Sequence, residues 1–116
     1  YGQCTWFAWG RFYELYGYSP GFIGDGYKCV DQLLKTHPDK FERSYSPKAG
    51  AVFSSIGKNH VGIVIAVKDG AIIIQEGNLD GKTNTFKEAQ KDWHTRELTL
   101  SELSNRNQGV VFANPK

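Results

Sequence analysis

The side chains in this sequence that titrate closest to neutral pH, and so suit a thiol nucleophile and its base, are two thiols and three imidazoles: Cys4, Cys29, His37, His60 and His94. A thiol attacks as its thiolate, and a helix N-terminus favours the thiolate because its unpaired N–H groups carry partial positive charge. Cys4 stands at the front of the stretch YGQCTWFAWGRF, which has helical spacing. Cys4 is therefore the candidate nucleophile, although a free cysteine is also often a buried apolar residue.

A nucleophilic thiol requires a base, and the base requires a group that orients it. His60 opens the segment HVGIVIAV-KDG-AIIIQEGN, which has the pattern of a β-hairpin and ends with Glu76 and Asn78. The turn decides whether these groups meet, because a slip of one residue moves every side chain to the other face of the sheet. A two-residue turn would direct His60 away from Glu76 and Asn78, whereas a three-residue loop would bring them to one face.

We expect the three-residue loop 68–70, because its usual form has a left-handed residue in third position, where a glycine stands. His60 then lies opposite Asn78, and Gly62 lies opposite Glu76 and leaves space beside it. A carboxylate among apolar strand residues is costly unless it is paired, so Glu76 needs a partner. The hairpin therefore predicts a base with one or two candidate orienting groups.

The remaining cysteine and histidines have simpler interpretations. Cys29 lies inside an apolar helical stripe and is expected to be a core residue. His37 is expected at the end of a helix and His94 at the rim of a loop, and we assign neither to the chemistry. A single Cys4–Cys29 disulfide is compatible with a count of two cysteines.

The elements that must position these residues follow from hydrophobic periodicity and chain breakers. Helices are predicted from about 4 to 16 and from about 29 to 37, the second ended by a His-Pro step. Strands follow at 51–55, in the hairpin, at roughly 95–100 and at 109–113, with a long polar loop after the hairpin. This order predicts an α+β fold. Two stripes predict a first helix covered on most of its circumference: Trp6, Trp9, Tyr13 and Tyr16, and Cys4, Ala8, Phe12 and Leu15.

Composition limits the classes of function. The 116 residues, 40% hydrophobic and 14% aromatic, fit one folded domain without an apolar run long enough to span a membrane. The net charge of +2 comes from scattered charges, so the basic patch of a nucleic-acid binder is missing. The chain begins with Tyr1 and contains no Met, and we expect an excised module of a larger protein. We expect a monomer, because no long apolar surface stripe is left unused.

Four stretches, in this order and spacing, resemble the CHAP family, the cysteine, histidine-dependent amidohydrolases/peptidases of bacterial and phage cell-wall enzymes: GQCTWFAWGRF, PKAGAVF, NHVGIVIAV and IIIQEGN. The resemblance covers most of the chain and implies one catalytic domain over residues 1–116. It implies a papain-like α+β fold, in which the helix bearing the nucleophile packs on an antiparallel sheet that supplies the base. It also implies cleavage of a peptidoglycan amide bond by an extracellular, wall-directed enzyme.

The resemblance also implies roles for individual residues. Cys4 would be the nucleophile, His60 the general base and acid, and Glu76 the group that orients the imidazole. Asn78 would be a further polar member of the site. The developing oxyanion would be stabilised by the backbone N–H of Cys4 together with a neighbouring N–H or the side chain of Gln3.

Other positions qualify the comparison with the family. Trp93, with Phe22 and Tyr27 of the early loop, is expected to line a groove for the stem peptide. Many members have an acidic residue where this chain has Ala51, and some have an acidic calcium-binding loop just before the cysteine. The sequence has no cluster with zinc-ligand spacing and no glycine-rich phosphate loop. We therefore predict no metal and no cofactor.

Two alternatives stay open at this point. An N-acetylmuramoyl-L-alanine amidase and an endopeptidase of the stem or cross-bridge would use identical machinery, whether in a phage lysin, an autolysin or a conjugation-associated enzyme. A protein of another class, a non-catalytic wall-binding or interaction module, would instead join Cys4 to Cys29 in a disulfide. The two classes differ in the thiol, because a hydrolase requires Cys4 to be free and unusually acidic.

Overall fold

The computed structural model describes residues 3–77 and 93–116, and within them the chain forms three α-helices, a 3-10 turn and six β-strands. None of the helices in these two ranges has the length and apolarity needed to cross a membrane. In chain order the elements are α1 (Gln3–Tyr16), the 3-10 turn (Gly26–Lys28), α2 (Cys29–Thr36), β1 (Phe41–Ser44), β2 (Val52–Ser55), β3 (Val61–Lys68), β4 (Ala71–Gly77), β5 (Trp93–Thr99), α3 (Leu100–Asn107) and β6 (Val110–Pro115).

The six strands form one antiparallel sheet with the spatial order β1-β6-β2-β3-β4-β5. Helix α1 packs against β3 and β4, and α2 packs against β1, β2 and β6. The predicted α+β fold, with N-terminal helices on an antiparallel sheet, is confirmed. The helix that contains Cys4 is therefore held against the strand that follows His60.

Each face of the sheet has its own hydrophobic core. Successive residues of a strand point to opposite faces, and accordingly Val52 packs in the first core and Phe53 in the second. The first core lies under α1 and α2 and includes Phe12 and Leu33. The second lies under α3, whose Leu103 is fully buried. A side chain of β4 that faces α3 therefore enters a closed environment.

Helix α1 is less covered than its sequence pattern predicts. Phe7, Ala8 and Phe12 are buried, but Tyr13 is 50% exposed and Leu15 is 44% exposed. Two polar contacts anchor the helix, with Arg11 Nε donating to Gln75 Oε1 at 2.8 Å and Tyr16 donating its hydroxyl to the Gly50 carbonyl at 2.6 Å. The predicted cover on most of the circumference is found over residues 4–12, all of which are buried or half-buried. It fails in the last turn, where residues 13–15 are exposed.

The hairpin turn differs from the predicted one. Asp69 and Gly70 both have positive φ, at 45° and 83°, and Lys68 pairs with Ala71, so the turn has two residues. An irregularity between Val64 and Ala66 then shifts the register by one residue. Beyond it Val64 pairs with Ile74, which is the register that the three-residue loop would have produced. The predicted loop is wrong, but the bulge restores the predicted face for the residues at the far end.

Two elements were missed in the sequence. Helix α3 begins with a capping box, in which Thr99 Oγ1 accepts from the Glu102 N–H at 3.1 Å and Glu102 Oε1 accepts from the Thr99 N–H at 2.8 Å. Strand β1 contains a single buried residue, Phe41, and is defined by its pairing with β6 at the edge of the sheet. Its FERS sequence has too little periodicity to predict such a strand.

Candidate active site

Cys4 lies in the first turn of α1, where it is partly exposed and has a free thiol. Its Sγ lies 4.0 Å from the backbone oxygen of Asn59, the residue before His60. The packing of α1 on β3 therefore brings the predicted nucleophile to the predicted base, although 55 residues separate Cys4 from Asn59 in sequence.

Cys4 and His60 change each other's pKa. Burial raises the pKa of the Cys4 thiol, but a hydrogen bond with His60 and the charge of the imidazolium outweigh this, so the pKa lies below its usual value. Burial lowers the pKa of His60, but hydrogen bonds with Cys4 and Glu76 outweigh this in turn and raise it to about 9. The geometry thus favours a thiolate beside an imidazolium, the reactive form of a cysteine nucleophile.

Glu76 is fully buried and has both carboxylate oxygens occupied. Its Oε1 accepts from His60 Nε2 at 2.7 Å, and its Oε2 accepts from Arg96 Nε at 3.0 Å and from Arg106 Nη2 at 2.9 Å. Burial raises the pKa of this carboxyl group, but the hydrogen bonds and charges of His60 and Arg106 lower it to about 2. Glu76 is therefore a fixed anion that orients the imidazole ring.

The fold explains why two arginines meet Glu76. Glu76 lies directly opposite His94 in β5, and Arg96 lies two residues further along the same strand and hence on the same face. Arg106 approaches from α3, which covers that face of the sheet. The sequence indicates that Glu76 needs a partner but does not identify either arginine. The signal for Arg106 was present in the capping box at Thr99, which predicts a helix through that position.

Asn59 and Gly26 hold the loop before His60 in place. Asn59 Oδ1 accepts from the Gly26 N–H, and Asn59 Nδ2 donates to Asp25 Oδ1 at 3.1 Å. A Cβ atom at Gly26 would lie 2.5 Å from the backbone carbon of His60, so only glycine allows this approach. These residues position the base from the side of the 3-10 turn.

Three predicted site residues cannot be placed in the same way. Asn78 lies outside the described residues. Gln3 is the first residue of α1 and Trp93 the first residue of β5, where it pairs with Gly77, but the description does not extend to either side chain. Their roles stay predictions.

Two cavities border the Cys4–His60 pair. The first, of about 300 Å³, is called here the aromatic cavity, and the second, of about 460 Å³, is called the basic cavity. The wall of the aromatic cavity includes Thr5, the residue after Cys4, two tryptophans of α1 and Phe22. The lining residues of the aromatic cavity are Thr5, Trp6, Trp9, Phe22, Ile23 and Gly24, and those of the basic cavity are Lys58, Asn59, His60, Arg106 and Asn107.

Phe22 and Tyr27 differ from each other more than the sequence suggested. Phe22 is 2% exposed and belongs to the first core as well as to the wall of the aromatic cavity. Tyr27 is half-exposed and borders a separate depression with residues 56–59. Phe22 therefore forms part of the wall of the aromatic cavity, whereas Tyr27 borders a depression that shares Lys58 and Asn59 with the basic cavity.

Cys29 is fully buried in the first core, as predicted. Burial raises its pKa to about 12, despite a contact of 4.0 Å between its Sγ and the Thr5 hydroxyl. Both cysteines are free thiols, so the structure lacks the disulfide that the binding-module alternative requires.

The arrangement suits acyl transfer through a thioester. It supplies a nucleophile, an acid-base group that lowers the pKa of that nucleophile, and a buried anion that fixes the acid-base group. Among residues 3–77 and 93–116 there is no group of three or more His, Cys, Asp or Glu side chains arranged to hold a metal ion.

Comparison with known proteins gives one family and one fold. The family model for the CHAP domain matches residues 1–78. The crystal structure of Ly7917 is similar, with 19% identity and a TM-score of 0.52 over 82% of this chain and 40% of that chain. A structure of Ly7917 "with the hydrolyzing product of MDP" gives 18% identity and a TM-score of 0.55 over 80% and 38%. The chain therefore spans about two fifths of the chains it matches. No curated protein sequence matches it.

Proposed function

Because the chain belongs to the CHAP domain family, we propose that it is a peptidoglycan hydrolase that cleaves an amide bond by a thiol mechanism. Membership of the family supports peptidoglycan as the substrate. The observation that supports the mechanism is the position of His60, whose Nε2 donates to Glu76 at 2.7 Å and whose preceding residue, Asn59, lies 4.0 Å from Cys4 Sγ. The interaction of His60 with Cys4 lowers the pKa of the thiol. The fold shared with a structure titled for a hydrolysis product of MDP is consistent with this substrate class.

In the first half of the reaction the Cys4 thiolate attacks the amide carbonyl carbon and forms a tetrahedral oxyanion. Backbone N–H groups near Cys4, with Gln3 as the proposed side-chain donor, would stabilise that charge. The His60 imidazolium then gives its proton to the amide nitrogen, the C–N bond breaks, and the amine leaves. The products of this half are a thioester on Cys4 and a neutral imidazole on His60.

In the second half a water molecule attacks the thioester while neutral His60 accepts its proton. The C–S bond breaks, the carboxylic acid leaves, and the thiolate and imidazolium are restored. Glu76 contributes throughout by holding the ring in one orientation and by favouring its protonated form. Arg96 and Arg106 hold Glu76 itself, since both donate to Oε2.

The bond is an amide of the stem peptide or of the cross-bridge, and an N-acetylmuramoyl-L-alanine amidase and an endopeptidase would both use these steps. We propose that the enzyme acts at the cell wall, as a secreted or phage-released protein. Asn78 and Trp93 are proposed as further members of the site, the first polar and close to Glu76 in sequence, the second at the start of β5.

The test is digestion of purified Gram-positive cell walls, followed by turbidity and by mass spectrometry of the released fragments. We expect clearing by the native protein and new amino groups paired with new carboxyl groups. A new N-terminal alanine, together with a free lactyl carboxyl group on muramic acid, would identify an amidase. Cleavage between two amino acids of the stem peptide or cross-bridge would identify an endopeptidase. Intact walls and unchanged fragments with the native protein would refute the proposal.

A further inference from the structure

The basic cavity differs from the rest of the site in its charge. Lys58 and Arg106 line it together with His60, and no acidic side chain among the described residues does so. Its volume of about 460 Å³ is large enough for one amino-acid residue of a substrate. The cavity therefore has room and positive charge on the side of the site that borders the acid-base group.

The charges around Glu76 leave this positive charge uncompensated. Three cations, His60, Arg96 and Arg106, surround Glu76, and both oxygens of Glu76 are already engaged. With the Cys4 thiolate beside His60, two negative charges face three positive ones. Lys58 is exposed and forms no ion pair with any described residue. Arg106 Nη1 is buried without a hydrogen-bond partner in the described part of the chain. Since positive charges gathered in a concave site raise the local concentration of anions, a negatively charged ligand is expected here.

The mechanism identifies which part of the substrate would enter the basic cavity. His60 must lie within hydrogen-bonding distance of the departing amide nitrogen, because it gives that atom its proton. His60 lines the basic cavity but not the aromatic cavity, which instead includes Thr5, the neighbour of Cys4. The amine half of the substrate therefore leads toward Lys58 and Arg106, and the acyl half toward the tryptophans of α1.

We propose that the basic cavity is a specificity subsite for a carboxylate on the amine half of the substrate, an inference that rests on the proposed hydrolase function. Lys58 attracts the carboxylate as an exposed ammonium group, and Arg106 adds a positive charge that is fixed by Glu76. Stem peptides contain α-carboxylates, some of which occur as carboxamides. The subsite makes the enzyme prefer the free acid, because a carboxamide has the same shape without the charge.

The test compares soluble stem-peptide fragments in two forms, with their carboxylates free or converted to carboxamides with carbodiimide and ammonium chloride. We expect the native enzyme to cleave the free acids with a kcat/KM about tenfold higher, mainly through KM. Lys58→Met should remove most of this preference. Lys68→Met is the matched control, because Lys68 is exposed at the other end of β3, about 26 Å from His60 along the strand.

A second measurement does not need turnover. Binding of the same two fragment preparations to the Cys4→Ser protein, followed by calorimetry, should favour the free acids with Lys58 and lose that preference in Cys4→Ser/Lys58→Met. Equal binding and equal cleavage of acid and carboxamide by the native site would overturn the subsite. An absence of cleavage with a retained acid preference in binding would instead refute the hydrolase function while leaving the carboxylate site supported.

Discussion

The two cysteines of this chain occupy similar local positions and have opposite chemistry. Cys4 lies in the first turn of α1 and Cys29 is the first residue of α2, so each is at a helix N-terminus. Both also interact with the hydroxyl of Thr5. Yet the pKa of Cys4 is lowered, whereas burial raises the pKa of Cys29 to about 12.

A position at a helix N-terminus therefore does not by itself lower the pKa of a thiol. A helix N-terminus predicts a reactive Cys4 from the sequence, but Cys29 stands at a helix N-terminus as well. The deciding difference is His60, whose hydrogen bonding and charge lower the pKa of Cys4 and which is held in turn by Glu76. The groups that lower the pKa of Cys4 therefore belong to the sheet side of the site. Cys4 lies beside them because α1 packs on β3 and β4.

The largest expected effect comes from removing each thiol in turn. Cys4→Ala should lower wall hydrolysis by at least about a thousandfold, because it deletes the nucleophile. Cys29→Ala should retain activity within a few-fold and lower the free energy of unfolding by about 1 kcal/mol, since it removes one buried sulfur atom. The measurements are amine release from walls and urea denaturation. Comparable activity in the two variants would contradict the contrast between them.

Removing the base should make the two thiols alike. With His60→Ala the pKa of Cys4 should rise, because the variant loses the hydrogen bond and the charge that lower it while burial still raises it. Iodoacetamide alkylation of Cys4 should then slow by at least about tenfold, while Cys29 stays unreactive in both proteins. Peptide mass spectrometry after timed alkylation measures each site. His37→Ala is the control, and an unchanged Cys4 rate in His60→Ala would place the activation elsewhere.

The pH dependence should report the influence of Glu76 on His60. Activity should rise as Cys4 loses its proton and fall as pH passes about 9, where His60 loses the proton it must give to the amine. Glu76→Gln removes the charge that favours imidazolium, so the upper limb should move toward the ordinary histidine value of about 6.5 by at least one pH unit.

Glu97→Gln is the matched control, because Glu97 pairs with Ile73 and hence points to the opposite face of the sheet from Glu76. A kcat/KM profile measured between pH 5 and pH 10 distinguishes the variants, because it reports the pKa values of the free enzyme. An upper limb that stays near pH 9 in Glu76→Gln would mean that the carboxylate does not set the protonation of His60.

Much of this site could be predicted because its residues lie in strongly patterned elements. The helical spacing around Cys4 and the hairpin that joins His60 to Glu76 are local signals of period 3.6 and period 2. The register predicted for the hairpin at the site is right, although the turn from which it was predicted is wrong. A two-residue turn and a bulge after Val64 together produce the predicted register at the site, and a bulge has no reliable signature in a single sequence.

The parts that were missed depend on contacts between distant elements. Arg96 and Arg106 reach Glu76 only because β5 pairs with β4 and α3 crosses the same face. Gly26 matters because its turn touches the His60 backbone, and β1 exists through its pairing with β6. Periodicity predicts that the aromatic face of α1 is covered. It does not reveal that Trp6 and Trp9, on that face, border a cavity.

The smallest expected effect tests Thr5, the residue that the two thiols share. Its hydroxyl donates to the Gly24 carbonyl at 2.7 Å, and its side chain is almost fully buried. Thr5→Val should lower the free energy of unfolding by about 1 kcal/mol, because the part-buried Gly24 carbonyl loses its donor. Its effect on the pKa of Cys4 is the last in order, after burial, His60 and Val61. We therefore expect Cys4 alkylation to change by less than about threefold.

Thr36→Val is the control for Thr5→Val, because the Thr36 hydroxyl also donates to a backbone carbonyl, that of Gln32, at 2.8 Å, but on the exposed side of α2. Alkylation rates and denaturation midpoints are compared for both variants. If Thr5→Val slowed Cys4 as much as His60→Ala does, the shared hydroxyl would be the activating group. The different chemistry of the two cysteines would then depend on the α1 side of the site. A small change places it with His60, where the ion pair and the hydrogen bond to Glu76 both lie.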